Sequence, residues 1–574
     1  MSAKASNRRI RLLLGVFVLA FGLTFLRAAW LQGVRAASFG RLASSQHSED
    51  VVIPAARGTI YDRTGLQLAI GEQAQTVYAD PRQVTDPKTE STTIAQALKL
   101  DPNQVYQELT DRTHGFVYVK RKADPAQAAK LEKRGLPGLG FYAEERRFYP
   151  QFSLASQLIG YAGVDNHGLA GLELSLDKQL AGRPGRERIV KDASGQAIDT
   201  VVSQPERDGS DVYLTLDHTI QANAQTVLRD TVAKWHAKSA TAIVLDPATG
   251  AVRAMATAPG FDANSYPQVW RVLQRNRAVT DTYEPGSTFK LVTVAGALSE
   301  RLVSPSTTFT LPYYIHVADR TIHDAEPRGT ETMSVSQILS RSSNVGAITL
   351  AEKLSQHRLV QWISRFGFGH LTGIDFPGES PGIVLPEDKW SGSSIGNIPI
   401  GQGIAVTPIQ MASAYAAIAN RGVWVRPHLV ERIGASASTR PTRRRIVSPW
   451  VASELMAMLK NVVAEGTGTL AAVPGYQVAG KTGTAAKPDP QGGYSDTRYV
   501  ASFVGVVPAS RPRLVILVSV DEPRGAIWGG VVAAPAFAEI AKFDLQYLDG
   551  GVPPDAPTTA TASATATASA TATP

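Results

Sequence analysis

At 574 residues the chain is longer than one hydrophobic core usually serves, so two or three domains plus tails are expected. Its 43% hydrophobic and 7% aromatic content excludes wholesale disorder, and 58 basic against 50 acidic residues, with no long basic stripe, argue against a nucleic-acid partner. The chain has no cysteine, which excludes disulfides, thiolate catalysis and Cys-based zinc sites and suits an oxidising compartment.

The stretch from Leu12 to Leu26 carries no charge, and Ala28 to Leu31 prolong it past Arg27. About 20 helical residues rise about 30 Å, the thickness of a bilayer core, so residues 12–31 are expected to form a single transmembrane anchor. Arg27 can snorkel to the far interface, and Trp30 suits the headgroup belt. Lys4, Arg8, Arg9 and Arg11 hold residues 1–11 in the cytoplasm, which leaves everything after about residue 32 outside it. The small residues Ala36, Ala37 and Ser38 keep a cleaved signal peptide as the alternative.

Residues 45–206 alternate strand-like runs and turn signals, as from Thr59 to Gly65, with helical stretches such as Pro125 to Lys133, which predicts a mixed α/β module. A boundary falls near Arg207-Asp208-Gly209-Ser210, and residues 207–548 read as a catalytic domain. There Val212 to Leu216 is a strand and Thr219 to Trp235 an amphipathic helix, while Thr241 to Leu245 and Ala251 to Ala256 flank a turn as a hairpin. A largely helical middle runs from Ser287 to about Asn420. Strand signals return at Tyr476 to Thr484, Tyr499 to Val507 and Leu514 to Val520, and a helix from about Ala534 to Leu548 closes the domain. A hairpin before the helical insert and three strands after it predict one antiparallel sheet covered by helices, an α/β (α+β) fold. Arg440, Arg443, Arg444 and Arg445 read as a solvated loop, and residues 552–574, rich in Pro, Thr, Ala and Ser, as a disordered tail.

Three segments carry chemistry. In Glu284-Pro285-Gly286-Ser287-Thr288-Phe289-Lys290 turn residues lead into helical periodicity, so Ser287 and Lys290 share a face at i and i+3. Serine is a poor nucleophile until a base takes its proton, and a lysine made less basic by burial beside a helix N-terminus can do so. Ser342-Ser343-Asn344 offers a hydroxyl and an amide at i and i+2. Lys481-Thr482-Gly483-Thr484 sits on a strand, where Gly483 lets a ligand approach the backbone closely. Each segment alone also suits a structural role: an N-cap serine with a surface lysine, a short turn, an edge-strand end.

Their order and spacing resemble the penicillin-recognising serine enzymes, with Ser-x-x-Lys, Ser-x-Asn and Lys-Thr-Gly in turn. With the flanks Arg341 to Gly346, Gly401-Gln402-Gly403, Thr407 to Gly422 and Gly480 to Ala485, residues 50–545 resemble a class B penicillin-binding protein. Arg57-Gly58-Thr59-Ile60-Tyr61-Asp62-Arg63 is similar to that class's pedestal motif. Arg275 to Asp281, Glu284-Pro285-Gly286, Arg147 to Pro150 and Gly168 to Glu173 are similar to its division-type, FtsI-like branch. The resemblance implies a penicillin-binding/serine β-lactamase-like transpeptidase domain with a five-stranded antiparallel sheet flanked by helices, preceded by a dimerisation-type pedestal and the anchor.

It also implies a peptidoglycan D,D-transpeptidase of septal wall synthesis, inhibited by β-lactam antibiotics and needing neither cofactor nor metal. Ser287 would attack the penultimate D-alanine of a lipid II-derived stem peptide, with Lys290 as general base. Ser342 and Lys481 would pass a proton to the leaving amine, and Asn344 would hold the donor's amide. The backbone amides of Ser287 and Thr484 would form the oxyanion hole, and Thr482, Gly483 and Thr484 would bind the substrate along the strand. The implied partners are an FtsW- or RodA-type glycosyltransferase and other divisome proteins at the cell membrane. Alternatives that share the motifs are an elongation-type transpeptidase, a D,D-carboxypeptidase or β-lactamase, and a non-catalytic divisome scaffold or β-lactam sensor.

Overall fold

The computed structural model describes residues 3–35, 48–191, 197–437 and 441–549, so the expected tail and Arg440 lie outside the described residues. The chain divides into two units, residues 1–56 with 181–209 and residues 57–180 with 210–574. In the first unit the helix Ala3–Ala29 continues into a π-helical turn, Trp30–Val34. Within them Asn7–Gly33 is long and apolar enough to cross a membrane, and its large side chains, from Leu12 to Leu26, are exposed on every side. Arg27 and Arg35 both lie over the Trp30 ring, at 5.0 and 4.5 Å, which gathers cations and an aromatic where the apolar stretch ends. The same unit holds an antiparallel sheet in which Gly185–Lys191 pairs with Ser48–Ile53 on one side and Ala197–Gln204 on the other.

The second unit contains the expected five-stranded sheet. Its parts are α1 (His218–Trp235), β1 (Ser239–Leu245), β2 (Val252–Ala258), α2 (Lys290–Ser299), α3 (Asn344–Leu354), α4 (Pro408–Ala419), α5 (Pro449–Ala464), β3 (Ala479–Pro488), β4 (Tyr494–Val507), β5 (Leu514–Asp521) and α6 (Gly529–Asp549). The strand order is β2-β1-β5-β4-β3 and every pairing is antiparallel. Strand β5 shows why both faces are covered: Val515 and Leu517 pack with α2, α4 and α5, while Ile516, Val518 and Val520 pack with α1 and α6. Strand β3 is the edge, and it carries Lys481 to Thr484. The basic cluster is solvated as expected at Arg443, Arg444 and Arg445, but it is not a loop. Arg443–Arg445 form a short strand paired with Val423–Val425, held in place by the buried Ile446 and Val447 that follow, and Arg444 lies 5.2 Å from the Trp424 ring centre.

The pedestal module is built on a seven-stranded sheet that crosses the boundary near residue 207. Val212–Leu214 pairs in parallel with Ile60–Tyr61 and antiparallel with Val430–Ile433, and Gln67–Ala79 pairs with both Val117–Ala123 and Leu139–Phe148. Three helices, Pro87–Leu98, Pro102–Thr110 and Pro125–Glu132, each start with Asp at the N-cap and Pro behind it. The caps Asp86, Asp101 and Asp124 accept from the Thr89, Asn103 and Gln127 amides. Beside the sheet, Arg57, Arg147 and Glu173 bring three distant motifs together. Arg57 Nε donates to Glu173 Oε2 at 2.7 Å, Arg147 Nε to Glu173 Oε1 at 2.6 Å, and Arg57 Nη1 to Asp177 at 2.7 Å. The Arg57, Arg147 and Glu173 side chains are at most 2% exposed. Removing the shared carboxylate leaves two buried guanidinium groups short of a counter-charge, so Glu173→Ala is expected to destabilise the protein by about 3–5 kcal/mol. Thermal melting of the detergent-solubilised chain checks this, and an unchanged melting temperature would contradict it.

Candidate active site

Ser287 lies in a 3₁₀ turn, Gly286–Phe289, that runs directly into α2. The apolar run Leu291, Val292, Val294, Ala295, Ala297 and Leu298 buries that helix in the core, which fixes the turn at its mouth. Two backbone segments clamp the turn. Gly286 donates to the Gly401 carbonyl at 3.0 Å, and a Cβ on Gly286 would lie 2.7 Å from Thr484 O, while one on Gly401 would lie 2.1 Å from Gly286 O. Both glycines also have positive φ, +55° and +81°, so neither tolerates a side chain. Behind them the Tyr415 hydroxyl of α4 donates to Thr288 O at 2.9 Å.

Lys290 and Lys481 are both fully buried. Lys290 Nζ donates to Ser342 O at 2.5 Å, Ser342 Oγ at 3.2 Å and Asn344 Oδ1 at 2.7 Å, so the first two motifs meet directly. Ser342 has φ +61°, rare for a residue with a side chain, and reaches the amine through both its carbonyl and its hydroxyl. Burial lowers the Lys290 pKa to about 7, against a smaller raising effect from the Asp324 carboxylate. Burial, with the Lys290 charge adding to it, pushes Lys481 well below the usual lysine range. Among the described residues neither lysine forms an ion pair. Lys481 makes only long bonds, 3.3 Å to each of the Thr482 carbonyl and hydroxyl.

On β3 the Thr482 hydroxyl is 2.7 Å from that of Thr467, and the Thr484 hydroxyl accepts from the Gly529 amide at 3.0 Å, leaving its own proton to donate. Gly483 differs from its expected reason. A Cβ there would meet Ser502 Oγ at 2.4 Å, Pro285 O at 2.8 Å and Thr288 Cγ2 at 2.9 Å, so the space beside it is taken by the serine turn rather than left for a ligand. That contact brings β3 against the serine turn, so Lys290, Ser342 and Asn344 meet directly while Lys481 to Thr484 run beside the turn that carries Ser287.

Sequence reasoning missed several supports. Asp324 accepts from Asn344 N at 2.5 Å and Val345 N at 3.0 Å, and Arg328 pairs with it. Glu284 accepts from Gly403 N and from the Tyr494 hydroxyl, both at 3.0 Å, which ties the serine turn to the Gly401–Gly403 loop and to β4; burial raises its pKa. Only Glu284 carried a signal, as a motif flank. Two cavities, of about 450 and 690 Å³, lie elsewhere: one beside Phe366, Trp424 and Arg444, the other beside Arg63, Tyr213 and Arg432.

Residues 240–542 match the family model described as penicillin binding protein transpeptidase domain, and residues 52–214 match the penicillin-binding protein dimerisation domain. The chain is 34% identical to the stage V sporulation protein D of Bacillus subtilis, over 96% of this chain and 88% of that protein. It is 33% identical to the peptidoglycan D,D-transpeptidase FtsI of Escherichia coli, over 96% and 93%. The crystal structure of penicillin binding protein 3 from Mycobacterium tuberculosis, complexed with aztreonam, superposes with a TM-score of 0.70 at 33% identity, covering 88% of this chain and 99% of that one. The chain belongs to the penicillin-binding protein transpeptidase family. Its paired dimerisation and transpeptidase domains make it a class B member, a serine-type D,D-transpeptidase.

Proposed function

We propose that this enzyme cross-links peptidoglycan stem peptides through an acyl-enzyme on Ser287, in septal wall synthesis. The observation that carries the reading is the buried Lys290 amine, held between Ser342 and Asn344 one turn from Ser287. In its neutral form Lys290 has two protons, enough for Ser342 O and Asn344 Oδ1, and its lone pair can take a proton from a hydroxyl. Ser287 Oγ gives its proton to Lys290 as it attacks the penultimate D-alanine carbonyl. The charged amine then bonds to all three acceptors, and Ser342 relays a proton to the departing D-alanine amine, aided by Lys481. Asn344 holds the donor's amide. The Ser287 and Thr484 amides stabilise the oxyanion, where one lost donor costs about 3 kcal/mol. The donor stem lies extended along the free edge of β3, with its carboxylate on the Thr482 and Thr484 hydroxyls and Gly483 keeping the strand against the serine turn. An amine from a second stem then attacks the ester carbonyl and releases Ser287.

β-Lactams acylate the same serine, as the aztreonam complex of the mycobacterial neighbour supports. The anchor holds the catalytic domain outside the cytoplasm, with Arg8, Arg9 and Arg11 on the cytoplasmic side. The septal role draws on the similarity to FtsI, and an FtsW-type glycosyltransferase is the matching partner.

Fluorescent penicillin is expected to label the full-length protein but not Ser287→Ala, and D-alanine release from a pentapeptide is expected to rise when an amine acceptor is added. Labelling of a folded Ser287→Ala protein would sink the assignment, and release indifferent to acceptor would make the enzyme a carboxypeptidase. Lys290 must be neutral to act as base. Acylation is therefore expected to be slow at low pH, to rise roughly tenfold per unit below about pH 7 and to level off above it; a rate flat from pH 5.5 to 8.5 would contradict this. Depletion in the native cell is expected to give filaments without septa, and rounded cells would point to elongation.

A further inference from the structure

A helix start leaves its first N–H groups without partners, and α3 starts at Asn344, inside the Ser-Ser-Asn motif. Asp324 supplies those partners from a separate hairpin, Tyr314–Val317 with Arg320–His323. Its Oδ1 accepts from Asn344 N and Val345 N, and Ser343 Oγ donates to both carboxylate oxygens at 3.1 and 3.0 Å while accepting from Gly346 N at 2.9 Å. The carboxylate is itself fixed. Arg328 donates to Oδ2 through Nε at 2.9 Å and Nη2 at 2.6 Å, and is anchored on Leu311 O, Pro312 O and Gly329 O. The hairpin's last residue, His323, accepts from Asn344 Nδ2 at 2.8 Å. Asp324 is 8% exposed, so its charge is felt through little water. Ser342, at positive φ, is therefore held from one side by Leu339 O and from the other by residues that Asp324 grips.

We propose that Asp324 is a positioning residue for the transpeptidase reaction: through Ser343, Asn344 and Val345 it sets Ser342 and Asn344 against the Lys290 amine, and its negative charge keeps that amine a usable base. This rests on the role given above to Lys290. The charged groups facing Lys290 are Lys481 on β3 and Asp324 on the hairpin, the latter with Arg328 behind it. Burial disfavours the ammonium form, and Asp324 opposes it. An ordinary helix cap would serve α3 equally well as a neutral amide, so the charge distinguishes the two roles.

Asp324→Asn keeps the shape and one oxygen acceptor, enough for the Asn344 and Val345 amides, while replacing the oxygen that takes Arg328 with an NH2 group and removing the charge; Asp324→Ala removes shape and acceptors as well. Acylation of the full-length, detergent-solubilised protein by fluorescent penicillin is followed from pH 5.5 to 9. In Asp324→Asn the midpoint of the acid limb is expected to move down by about half a pH unit or more, because losing the anion lowers the Lys290 affinity for its proton. The high-pH plateau is expected to fall at least about fivefold, and further in Asp324→Ala. A folded Asp324→Asn protein whose midpoint stays in place or rises, whatever its plateau, overturns the proposal and leaves Asp324 a helix cap. The Asn variant decides this even if the Ala variant fails to fold. Native protein that is not labelled, or that shows no acid limb, would overturn the Lys290 reading itself and the proposal with it.

Discussion

Two buried lysines that form no ion pair among the described residues are the constraint around which the catalytic domain is arranged. Taking an ammonium out of water costs several kcal/mol even after relaxation, and the cheapest escape is to give up the proton. Lys290 cannot turn outward, because it is the first residue of a helix whose next eight residues are buried. Lys481 cannot either, because its strand is paired along β4 from Ala479 to Pro488. The burial that the hydrophobic core demands is thus the same burial that disfavours the ammonium form and leaves the amine with a free lone pair, ready to take a proton.

The site then depends on backbone approaching backbone. Gly286, Gly401 and Gly483 stand where the serine turn touches the Gly401–Gly403 loop and β3, and any side chain there would push the nucleophile away from the strand. Strand β3 can stay at the edge, open on one side, because β4 and β5 are packed on both faces and hold it rigid. An edge strand is normally an aggregation hazard. Here the serine turn packs closely against the strand at Gly483 and Thr484.

The sheet was legible from local rules, turn chemistry for the hairpin and β-propensity around Lys481, whereas the eight motif residues were singled out by the order and spacing of three motifs, because each segment alone also suits a structural role. Asp324 was not legible. It follows a four-residue strand, Arg320–His323, with mostly exposed neighbours and acts on residues about twenty positions away, so no periodicity marks it. Gly483 was read correctly as a close approach, but the approaching group is the chain itself. Val212–Leu214 was placed as a strand, yet its partners, Ile60–Tyr61 and Val430–Ile433, are far away in sequence, and pairing of that kind leaves no trace in a single strand's pattern.

The segment Arg57 to Arg63, similar in sequence to a pedestal motif, opens a hairpin with Gln67–Ala69 and also acts as a joint. Its first residue sits in the ionic centre with Glu173 and Asp177, and its strand pairs with Val212–Leu214. Its last two residues meet the start of α1: Asp62 accepts from the His218 amide at 3.0 Å and contacts the ring at 2.6 Å, and Arg63 pairs with Asp217, the α1 N-cap, at 2.9 Å. Burial alone would raise the Asp62 pKa, but the bonds from His218, Thr64 and Leu66 outweigh it and hold the carboxylate below its usual range. Helix α1 in turn packs Ile220, Ala224 and Leu228 against the face of the catalytic sheet opposite the serine helix. Seven consecutive residues therefore connect the pedestal's ionic centre to the support beneath the catalytic sheet, and their arginines and aspartate are placed by mechanics rather than by any part in acyl transfer.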